Sequence, residues 1–565
     1  MTAAIPSLFR PGRNCYRAAR AQRAALLVDG EAYFRAFAHA ALRATRSIVI
    51  VAWDFHSHTR LHLNEAGIPE LLGDFLNFLL RRNRRLRIFV LAWDYPLVFG
   101  RGREPPAGSD GGWQPHRRIS FHYDSTCALG AAHHQKIVVI DGAVAFCGGI
   151  DLTLGRWDTA LHSSADPRRT NVGETVPYGP VHDVMLAVDS GAARALQSVA
   201  SERWRQATGR ALPTAYAAGD PWPASLFPIF SDVDIALART ASARSNEPAV
   251  TEVETLYLDL IAAARRYIYV ENQYFTSRVL GDALAARLAE PEGPEVVVVL
   301  RLASTGWLEA PSMSALRTVL LRKLEDADAH GRFHAWYPHT PGEPGCDVHS
   351  KLMIVDDEWL RVGSANFANR SMGLDTECDL VLEARGDSAT QAAIASVRNA
   401  LLSEHLGVAR TDVQNAYAVT GSLGETIATL ATQGGRSLQR FERLEEPYPA
   451  LVALANGVVD PGRPLSMEEL ITGFDQDTVD AAPVARRETP SRITGRINNL
   501  LGGTVLGILL GTLVATLFAR QLAVGLRAAL DVIWLLVATF GAMAASRWIM
   551  RRRATDSRFR ERARR

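Results

Sequence analysis

The amino-acid sequence predicts an α/β protein made of two similar half-domains, followed by a transmembrane helical hairpin. Amphipathic helix patterns alternate with apolar strands, which is typical of a sheet with many parallel neighbours. The same order of elements occurs twice, roughly over residues 30–215 and 250–410. A repeat of this length exceeds that of solenoids and indicates two halves related by an approximate two-fold axis. Residues 500–519 carry no charge and are numerous enough to cross a bilayer core.

The elements of each half follow from hydrophobic periodicity. In the first half we expect a helix over 31–46, a strand over 48–54, a helix over 71–80 and a strand over 86–94. The second half repeats this order with a helix ending at Arg266, a strand over 267–275, a helix over 279–289 and a strand over 295–301. A loop rich in glycine, proline and arginine over 99–113 precedes the first motif described below.

The bulk composition restricts the class of protein. A chain of 565 residues is too long for one ordinary core, and 47% apolar with 22% charged residues is typical of a globular protein. The net charge of +2 gives no global electrostatic reason to expect a nucleic-acid partner. The five cysteines show no C-x-x-C spacing, which predicts neither a disulfide framework nor a zinc site and suits a reducing compartment. The N-terminus has no signal-peptide core.

A duplicated polar motif is the strongest functional signal. The pattern H-x-K-x4-D occurs at His134, Lys136 and Asp141, and again at His349, Lys351 and Asp356. Seven residues beyond each aspartate comes a glycine-led tetrapeptide, Gly148-Gly149-Ile150-Asp151 and Gly363-Ser364-Ala365-Asn366. Two copies in register are hard to obtain by chance, so we expect both to serve one site.

The residue types of the motif suit phosphodiester displacement. Because side chains at i and i+2 of a strand share a face, each histidine is expected to project together with its lysine. Burying a histidine and a lysine in an apolar core would cost free energy. We therefore expect the two pairs to meet in a polar cleft between the halves. One neutral imidazole can attack phosphorus, the other can transfer protons, and the lysines can stabilise the developing charge. The motif offers few metal ligands, so neither a metal nor a cofactor is expected.

These residues resemble the phospholipase D superfamily, whose defining motif is a duplicated H-x-K-x4-D. The resemblance covers about residues 14–410 and includes Arg13-Asn14-Cys15-Tyr16-Arg17, Gly155-Arg156-Trp157-Asp158 and Ile268-Tyr269-Val270-Glu271-Asn272-Gln273. The last two segments are similar to those of the eukaryotic-type phosphatidylcholine-cleaving branch and its bacterial relatives. The resemblance implies an α/β/α sandwich that forms a pseudo-dimer, with one active site at the junction of the halves.

The resemblance also implies roles for individual residues. His134 would be the nucleophile and His349 the general acid/base, with Lys136, Lys351 and Asn366 binding the phosphate. Two carboxylates further along, Asp183 and Glu377, would each orient the histidine of their own half. Asp141 and Asp356 complete the catalytic motif, although their role in such motifs is more often structural. Asp151 replaces the asparagine of many members, and because its charge would repel a phosphate we expect it to cap a turn or orient a lysine.

The function that we predict is a phospholipase D, which hydrolyses a phospholipid to phosphatidic acid and a free head group through a phosphohistidine intermediate. Its partners would be a phospholipid, the membrane bilayer, and water or an alcohol as acceptor. A cardiolipin synthase-type phosphatidyltransferase is the alternative, less favoured because such enzymes more often carry their membrane helices before the catalytic domain. A nuclease is a further alternative, but a nucleic-acid partner is not expected, because no aromatic platform accompanies Arg156, Arg168 and Arg169. A non-catalytic adaptor would have lost a histidine or a lysine of the motifs, and all four are present.

The C-terminal part is predicted to attach the protein to a membrane. The predicted spans, 500–519 and 528–546, are flanked by arginines. The positive-inside rule therefore places both outer flanks and the catalytic domain in the cytoplasm. We expect a two-pass protein of the inner membrane. A buried helical hairpin in a soluble domain is the alternative. The predicted domains are a first half over 1–225, a second half over 226–410, a helical appendage and linker over 411–490, and two transmembrane helices with a basic tail over 491–565.

Overall fold

The computed structural model describes residues 6–464, apart from short gaps at 95–103, 110–111, 129, 214–218, 244–246, 304–308, 344 and 432–434. The chain divides into two units, Met1–Pro464 and Leu465–Arg565. The account below concerns the described residues of the first unit.

The first half of this unit contains eight strands and three helices. The strands are β1 (Arg17–Val28), β2 (Ser47–Ala52), β3 (Arg87–Trp93), β4 (Ile119–Asp124), β5 (Ile137–Ile140), β6 (Val144–Gly148), β7 (Val181–His182) and β8 (Val184–Asp189). The helices are α1 (Asp29–Leu42), α2 (Leu72–Arg82) and α3 (Ser190–Thr208).

The second half repeats most of this arrangement. Its strands are β9 (Phe230–Ala241), β10 (Val250–Thr251), β11 (Tyr267–Asn272), β12 (Glu295–Leu300), β13 (Phe333–His339), β14 (Asp347–Val348), β15 (Lys351–Val355), β16 (Trp359–Gly363) and β17 (Glu377–Glu383). Its helices are α4 (Glu252–Ala263), α5 (Arg278–Ala289), α6 (Glu309–Ala327), α7 (Asn369–Gly373) and α8 (Ser388–Leu406). The chain then continues with α9 (Arg410–Thr420), α10 (Leu423–Leu430), β18 (Ser437–Arg440) and α11 (Pro449–Leu454).

One mixed sheet passes through both halves. Its strand order is β4-β3-β2-β5-β6-β8-β1 in the first half, continued by β9-β17-β16-β15-β11-β12-β13-β18. From the central pair outward, the two orders match strand by strand as far as β4 and β13. The halves join where β1 and β9 pair antiparallel, with Arg17 opposite Leu237 and Ala24 opposite Phe230. The mixed α/β sheet and its internal repeat therefore confirm that part of the predicted fold class.

Helices cover both faces of the sheet. Along β2, Val49 and Val51 pack on one face, in a core that includes α3 and α8. Ile48 and Ile50 point to the opposite face, into a core with α1 and α2, and helices α4 to α6 form a similar core in the second half. A strand buried on both faces is a continuous apolar run, which is why the sequence identified β2 so readily. The result is three layers, α/β/α.

Residues 411–464 belong to the same compact unit. Val413, Leu423 and Ile427 contribute to the core on the face of α3 and α8, and β18 extends the sheet by pairing antiparallel with β13. The predicted domain boundaries stay predictions, and the part of the predicted linker from 465 to 490 lies outside the described residues.

The predicted fold class needs one correction, which concerns the transmembrane hairpin. Among the described residues, no helix is both long and apolar enough to cross a membrane. Each of the three 19-residue helices, α3, α6 and α8, contains charged side chains. The stretches 500–519 and 528–546 themselves lie outside the described residues. The described residues therefore give the α/β fold and no membrane-crossing helix, so the expected hairpin and the expected location as a two-pass inner-membrane protein are not supported.

Candidate active site

Each H-x-K segment is hydrogen-bonded through its backbone to the opposite half. In the first motif, the His134 N–H donates to the Thr376 carbonyl at 3.0 Å, and the Thr376 N–H donates to Ala132 at 2.9 Å. In the second, β14 pairs in parallel with β7, and the His349 N–H donates to the His182 carbonyl at 2.8 Å. The first motif therefore pairs with the segment that carries Glu377, and the second motif pairs with the segment that carries Asp183. The strands β5 and β15 begin only at Ile137 and Lys351, so both histidines precede their strands.

This crossed backbone pairing gives each histidine a carboxylate from the other half. Nδ1 of His134 lies 3.1 Å from each carboxylate oxygen of Glu377. Nδ1 of His349 lies 2.7 Å from Oδ2 of Asp183. The sequence analysis identified both carboxylates but paired each with the histidine of its own half, and that pairing was wrong. Because a carboxylate fixes each ring through Nδ1, Nε2 is the nitrogen left for chemistry.

Hydrogen bonds and close packing hold the two carboxylates in place. Glu377 accepts hydrogen bonds from the hydroxyls of Ser364 at 2.5 Å and Ser371 at 2.8 Å. Asp183 accepts one from the Val184 N–H at 2.7 Å. A Cβ atom at Gly149 would lie 2.0 Å from Oδ1 of Asp183, so any side chain at this position would displace that carboxylate. Gly149 and Ser364 occupy matching places in the two motifs, which explains why one half needs glycine and the other uses serine.

The two lysines have different partners. Nζ of Lys136 lies 3.1 Å from Oδ2 of Asp151 and donates to the His134 carbonyl at 3.0 Å. Nζ of Lys351 donates to Oε1 of Gln273 at 2.8 Å and to the His349 carbonyl. Asp151 thus orients a lysine, as one of the two expected alternatives proposed, and its other oxygen accepts the Trp53 N–H at 3.0 Å. The charge of Lys136 is balanced by a carboxylate, whereas Lys351 faces a neutral amide.

The electrostatics show that the four motif side chains share one site. Burial, and then the charges of Lys136 and Lys351, hold the pKa of His134 well below its usual value. Burial, and then Lys351, Arg156 and Lys136, do the same to the pKa of His349. Each imidazole is therefore within the field of both lysines and is neutral near pH 7. A neutral imidazole is the form that can act as a nucleophile.

Three further groups of the site titrate near neutrality. Burial lowers the pKa of the Lys351 ammonium to about 7. Burial raises the pKa of the Asp183 carboxyl to about 7, and it raises that of Glu377 to about 7 as well. Desolvation disfavours the charged form of each group, so the shifts have opposite signs for the base and the two acids. The charge of the site therefore changes around pH 7.

Asn366 brings an open hydrogen-bonding position to the second motif. The residue is 5% exposed, and its side-chain oxygen has no hydrogen-bond partner within the described part of the chain. Its backbone N–H donates to the Ser371 hydroxyl at 3.1 Å, which fixes the residue. A buried carbonyl oxygen that lacks a partner is expected to accept a hydrogen bond from a ligand.

The aspartates of the two motifs lie away from this site. Asp141 accepts the backbone N–H groups of three consecutive residues at 2.7 Å each, namely Thr45, Arg46 and Ser47. Asp356 does the same at 2.7–2.8 Å for Arg265, Arg266 and Tyr267. Seven residues of extended chain separate each aspartate from its histidine, roughly 20 Å. Both aspartates therefore hold the start of a neighbouring strand, and neither lies beside the histidines and lysines of the candidate site.

Sequence reasoning missed four residues around the site. Gln273 and Arg156 stand in segments that carried the family resemblance, and Ser364 stands in the second tetrapeptide, so a signal for each was available. Ser371 lies on α7 and donates a hydrogen bond to Glu377. No sequence motif includes this residue, so the sequence alone could not identify it.

Two family models and several known proteins match this chain in sequence. A family model described as Phospholipase D matches residues 116–281, and one described as Cardiolipin synthase, PLD-like domain, matches residues 257–398. Phospholipase D A of Dictyostelium discoideum is 27% identical over 68% of this chain and 35% of its own length. Phospholipase D1 of Saccharomyces cerevisiae is 24% identical over 67% of this chain and 28% of its own length. The chain thus spans about a third of the length of these curated relatives.

A relative of more similar size and a solved structure also match. Phospholipase D alpha 1 of Vigna unguiculata is 24% identical over 65% of this chain and 62% of its own length. The crystal structure of phosphatidylserine synthase from Haemophilus influenzae Rd KW20 aligns with a TM-score of 0.48 at 14% identity, over 69% of this chain and 89% of that one.

Proposed function

Because the chain belongs to the phospholipase D superfamily, we propose that it is a phospholipase D, which hydrolyses a phospholipid to phosphatidic acid and a free head group. The observation that carries the proposal is the crossed pair of neutral imidazoles, His134 on Glu377 and His349 on Asp183, within the field of two lysines. Two oriented imidazoles are what a double displacement at phosphorus requires.

In the first step, Nε2 of His134 attacks phosphorus and the bond between phosphorus and the head-group oxygen breaks. His349 donates a proton to that oxygen, so the head group leaves as a neutral alcohol. Glu377 accepts the Nδ1–H of His134 and stabilises the positive charge that the ring acquires. The phosphatidyl group is then bonded to His134.

In the second step, His349 accepts a proton from water, whose oxygen attacks phosphorus. The N–P bond breaks and His134 returns to its neutral form, while phosphatidic acid leaves. In this mechanism Lys136, Lys351 and the side-chain N–H of Asn366 bind the non-bridging oxygens in both steps, where negative charge develops. No proton or electron is gained or lost by the enzyme over the cycle.

The first step requires a protonated His349, although burial and the neighbouring cations lower the pKa of this imidazole. Substrate binding raises the pKa of His349, because the phosphodiester brings one negative charge between the two lysines. Burial is the largest cause of the lowered pKa of His349, and repulsion by Lys351, Arg156 and Lys136 adds to it. The charge of the phosphodiester offsets that repulsion. The Asp183 carboxylate, 2.7 Å from Nδ1, stabilises the imidazolium that forms.

Transfer of the phosphatidyl group to an alcohol is a second candidate activity. It uses the same intermediate and differs only in the acceptor that His349 deprotonates. The family model matching residues 257–398 is described as a cardiolipin synthase domain, which favours keeping this alternative.

A substrate panel tests the proposal. The purified chain is incubated with vesicles of phosphatidylcholine, phosphatidylglycerol or phosphatidylethanolamine, with and without glycerol, and separately with single-stranded DNA. We expect phosphatidic acid and free head group from at least one lipid, and a phosphatidyl alcohol in addition where transfer occurs. His134→Ala should lower the rate about 1,000-fold or more.

The matched control is His330→Ala, which alters an exposed histidine outside both motifs. It should keep the wild-type rate. Cleavage of DNA with all lipids intact would contradict the proposed substrate class, and a His134→Ala variant as active as His330→Ala would contradict the mechanism.

A further inference from the structure

A second cluster of ionisable side chains lies beside the candidate active site. Asp29, His162 and His182 from the first half meet Glu404 of α8 from the second. Asp29 is 1% exposed and His182 is fully buried. The mechanism proposed above uses none of these four side chains, although His182 immediately precedes Asp183 in the chain.

The four side chains bring one ligand-type atom each to a common centre. These atoms all lie within 4.8 Å of one another. Oε1 of Glu404 is 3.1 Å from Nε2 of His162 and 2.8 Å from Nδ1 of His182. The Asp29 carboxylate is 3.3 Å from His182 Nδ1 and 3.6 Å from His162 Nε2. Zinc bonded tetrahedrally to nitrogen and oxygen holds its ligand atoms about 3.3 Å apart, which matches this spacing.

The two histidines also have the partners that metal-bound histidines have. The other nitrogen of His162, Nδ1, lies 3.0 Å from a carboxylate oxygen of Asp158. The other nitrogen of His182, Nε2, lies 2.9 Å from a carboxylate oxygen of Glu271. A histidine that binds a metal through one nitrogen commonly donates the N–H of the other to a carboxylate, which fixes its tautomer and orientation.

The charge of the cluster calls for a cation. Asp29, Asp158, Glu271 and Glu404 place four carboxylates in this buried region. Oδ2 of Asp29 has no hydrogen-bond partner within the part of the chain that the structure describes. A buried carboxylate oxygen that accepts no hydrogen bond is costly. A divalent ion at the centre would bind this oxygen and would leave both imidazoles neutral.

We propose that Asp29, His162, His182 and Glu404 form a binding site for a divalent transition-metal ion of the zinc type. Two nitrogen and two oxygen ligands suit such an ion, whereas magnesium and calcium prefer oxygen ligands alone. The ion takes no part in the phosphodiester chemistry. Its ligands come from both halves, and the backbone carbonyl of His182 holds the His349 N–H. Its role is to fix the His182–Asp183 segment against the second half, which positions Asp183 for His349.

Metal content and cobalt substitution test the proposal on the full chain. Protein purified without chelator is expected to contain an equimolar amount of zinc by elemental mass spectrometry. After removal of the metal with dipicolinate, Co²⁺ should bind and give the visible absorption of a tetrahedral site. His162→Gln and Glu404→Gln should each weaken Zn²⁺ binding at least tenfold, and His330→Gln should leave it unchanged.

Thermal unfolding of the wild-type protein gives a second readout that depends on no variant. Dipicolinate should lower its Tm, and added Zn²⁺ should restore it, because an ion that binds only the folded state stabilises that state. The proposal is overturned if the wild-type chain binds neither zinc nor cobalt in equimolar amount. It is also overturned if both substitutions leave zinc affinity unchanged, or if dipicolinate leaves the Tm where it was.

Discussion

At the scale of single residues, the two lysines of the site are not equivalent. Lys136 has a carboxylate partner in Asp151, whereas Lys351 has the neutral amide of Gln273. Burial lowers the pKa of Lys351 to about 7, with Lys136 and Arg156 adding to the effect. The charge of Lys351 therefore changes in the physiological range.

This difference predicts a pH dependence of anion binding. Lys351 is charged below its pKa of about 7 and loses its charge above it. Asp183 and Glu377, with pKa values raised to about 7, become negative over the same interval, so all three changes make the site less positive. Diethyl phosphate keeps one negative charge throughout. Its Kd, measured by titration calorimetry, should rise above pH 7 by a factor approaching about tenfold per pH unit.

Lys351→Arg supplies the comparison for this measurement, because arginine stays charged. The variant should show a flatter profile above pH 7, while Lys323→Arg, on an exposed lysine of α6, should follow the wild type. A Kd that is constant from pH 6 to 9 in the wild-type protein would refute the assignment.

Several residue roles could be read from the sequence and others could not. The spacing of His134 and Lys136, repeated at His349 and Lys351, predicted which side chains meet in the candidate site, because the motif is local in the chain. The partner of each histidine depends on which segments meet in space. Asp183 and Glu377 were identified from the family pattern, yet their pairing crosses between the halves because β14 pairs with β7 and His134 with Thr376.

The proposed metal site of Asp29, His162, His182 and Glu404 could not be predicted from the sequence for the same reason. Its ligands come from four distant segments, so they form no spacing motif. The cysteine count, which argued against zinc, says nothing about a site built from histidines and carboxylates.

At the scale of elements, the turn after β6 controls the site through one glycine. Gly149 leaves room for the Asp183 carboxylate, because a Cβ there would lie 2.0 Å from Oδ1. Gly149→Ala must therefore displace Asp183 and with it the His349 ring. A misplacement of this size costs about 100-fold in rate. Steady-state kinetics should show the loss in kcat, with circular dichroism unchanged.

Gly179→Ala is the matched control for this substitution. Gly179 is exposed, and a Cβ added there meets nothing within 4 Å. It should retain the wild-type kcat. Equal activity of the two variants would show that Asp183 does not need its present position.

The strands predicted from apolar runs were recovered within a few residues at β2, β3, β11 and β12. The two central strands β1 and β9 were not predicted. Their sequences, RAARAQRAALLV and FSDVDIALARTA, are rich in alanine and charged residues, which favour strands weakly. They become strands because they pair with each other and with β8 and β17. Such pairing is a property of the whole fold.

At the scale of the whole molecule, the two halves cannot be treated as independent enzymes. The sheet is continuous across β1 and β9, and each catalytic histidine is oriented by a residue of the other half. A half alone would hold one histidine without its carboxylate. The duplication visible in the sequence therefore encodes a single composite site.

The central claim is that Glu377 serves the nucleophile His134 and Asp183 serves the acid/base His349. The two roles differ in how they depend on the leaving group. A p-nitrophenyl phosphatidyl ester releases p-nitrophenolate without protonation, whereas choline needs a proton from His349. Loss of the acid/base should therefore affect only the choline substrate, and loss of nucleophile orientation should affect both.

The most direct test is the single-turnover rate of phosphohistidine formation, measured by rapid quench and mass spectrometry in Asp183→Asn and Glu377→Gln. We predict that the adduct forms on His134. Asp183→Asn should slow its formation about 100-fold or more with phosphatidylcholine and little with the p-nitrophenyl ester. Glu377→Gln should slow both substrates by a similar factor. An adduct on His134 with the reverse pattern, Glu377→Gln selective and Asp183→Asn affecting both substrates, would contradict the crossed pairing.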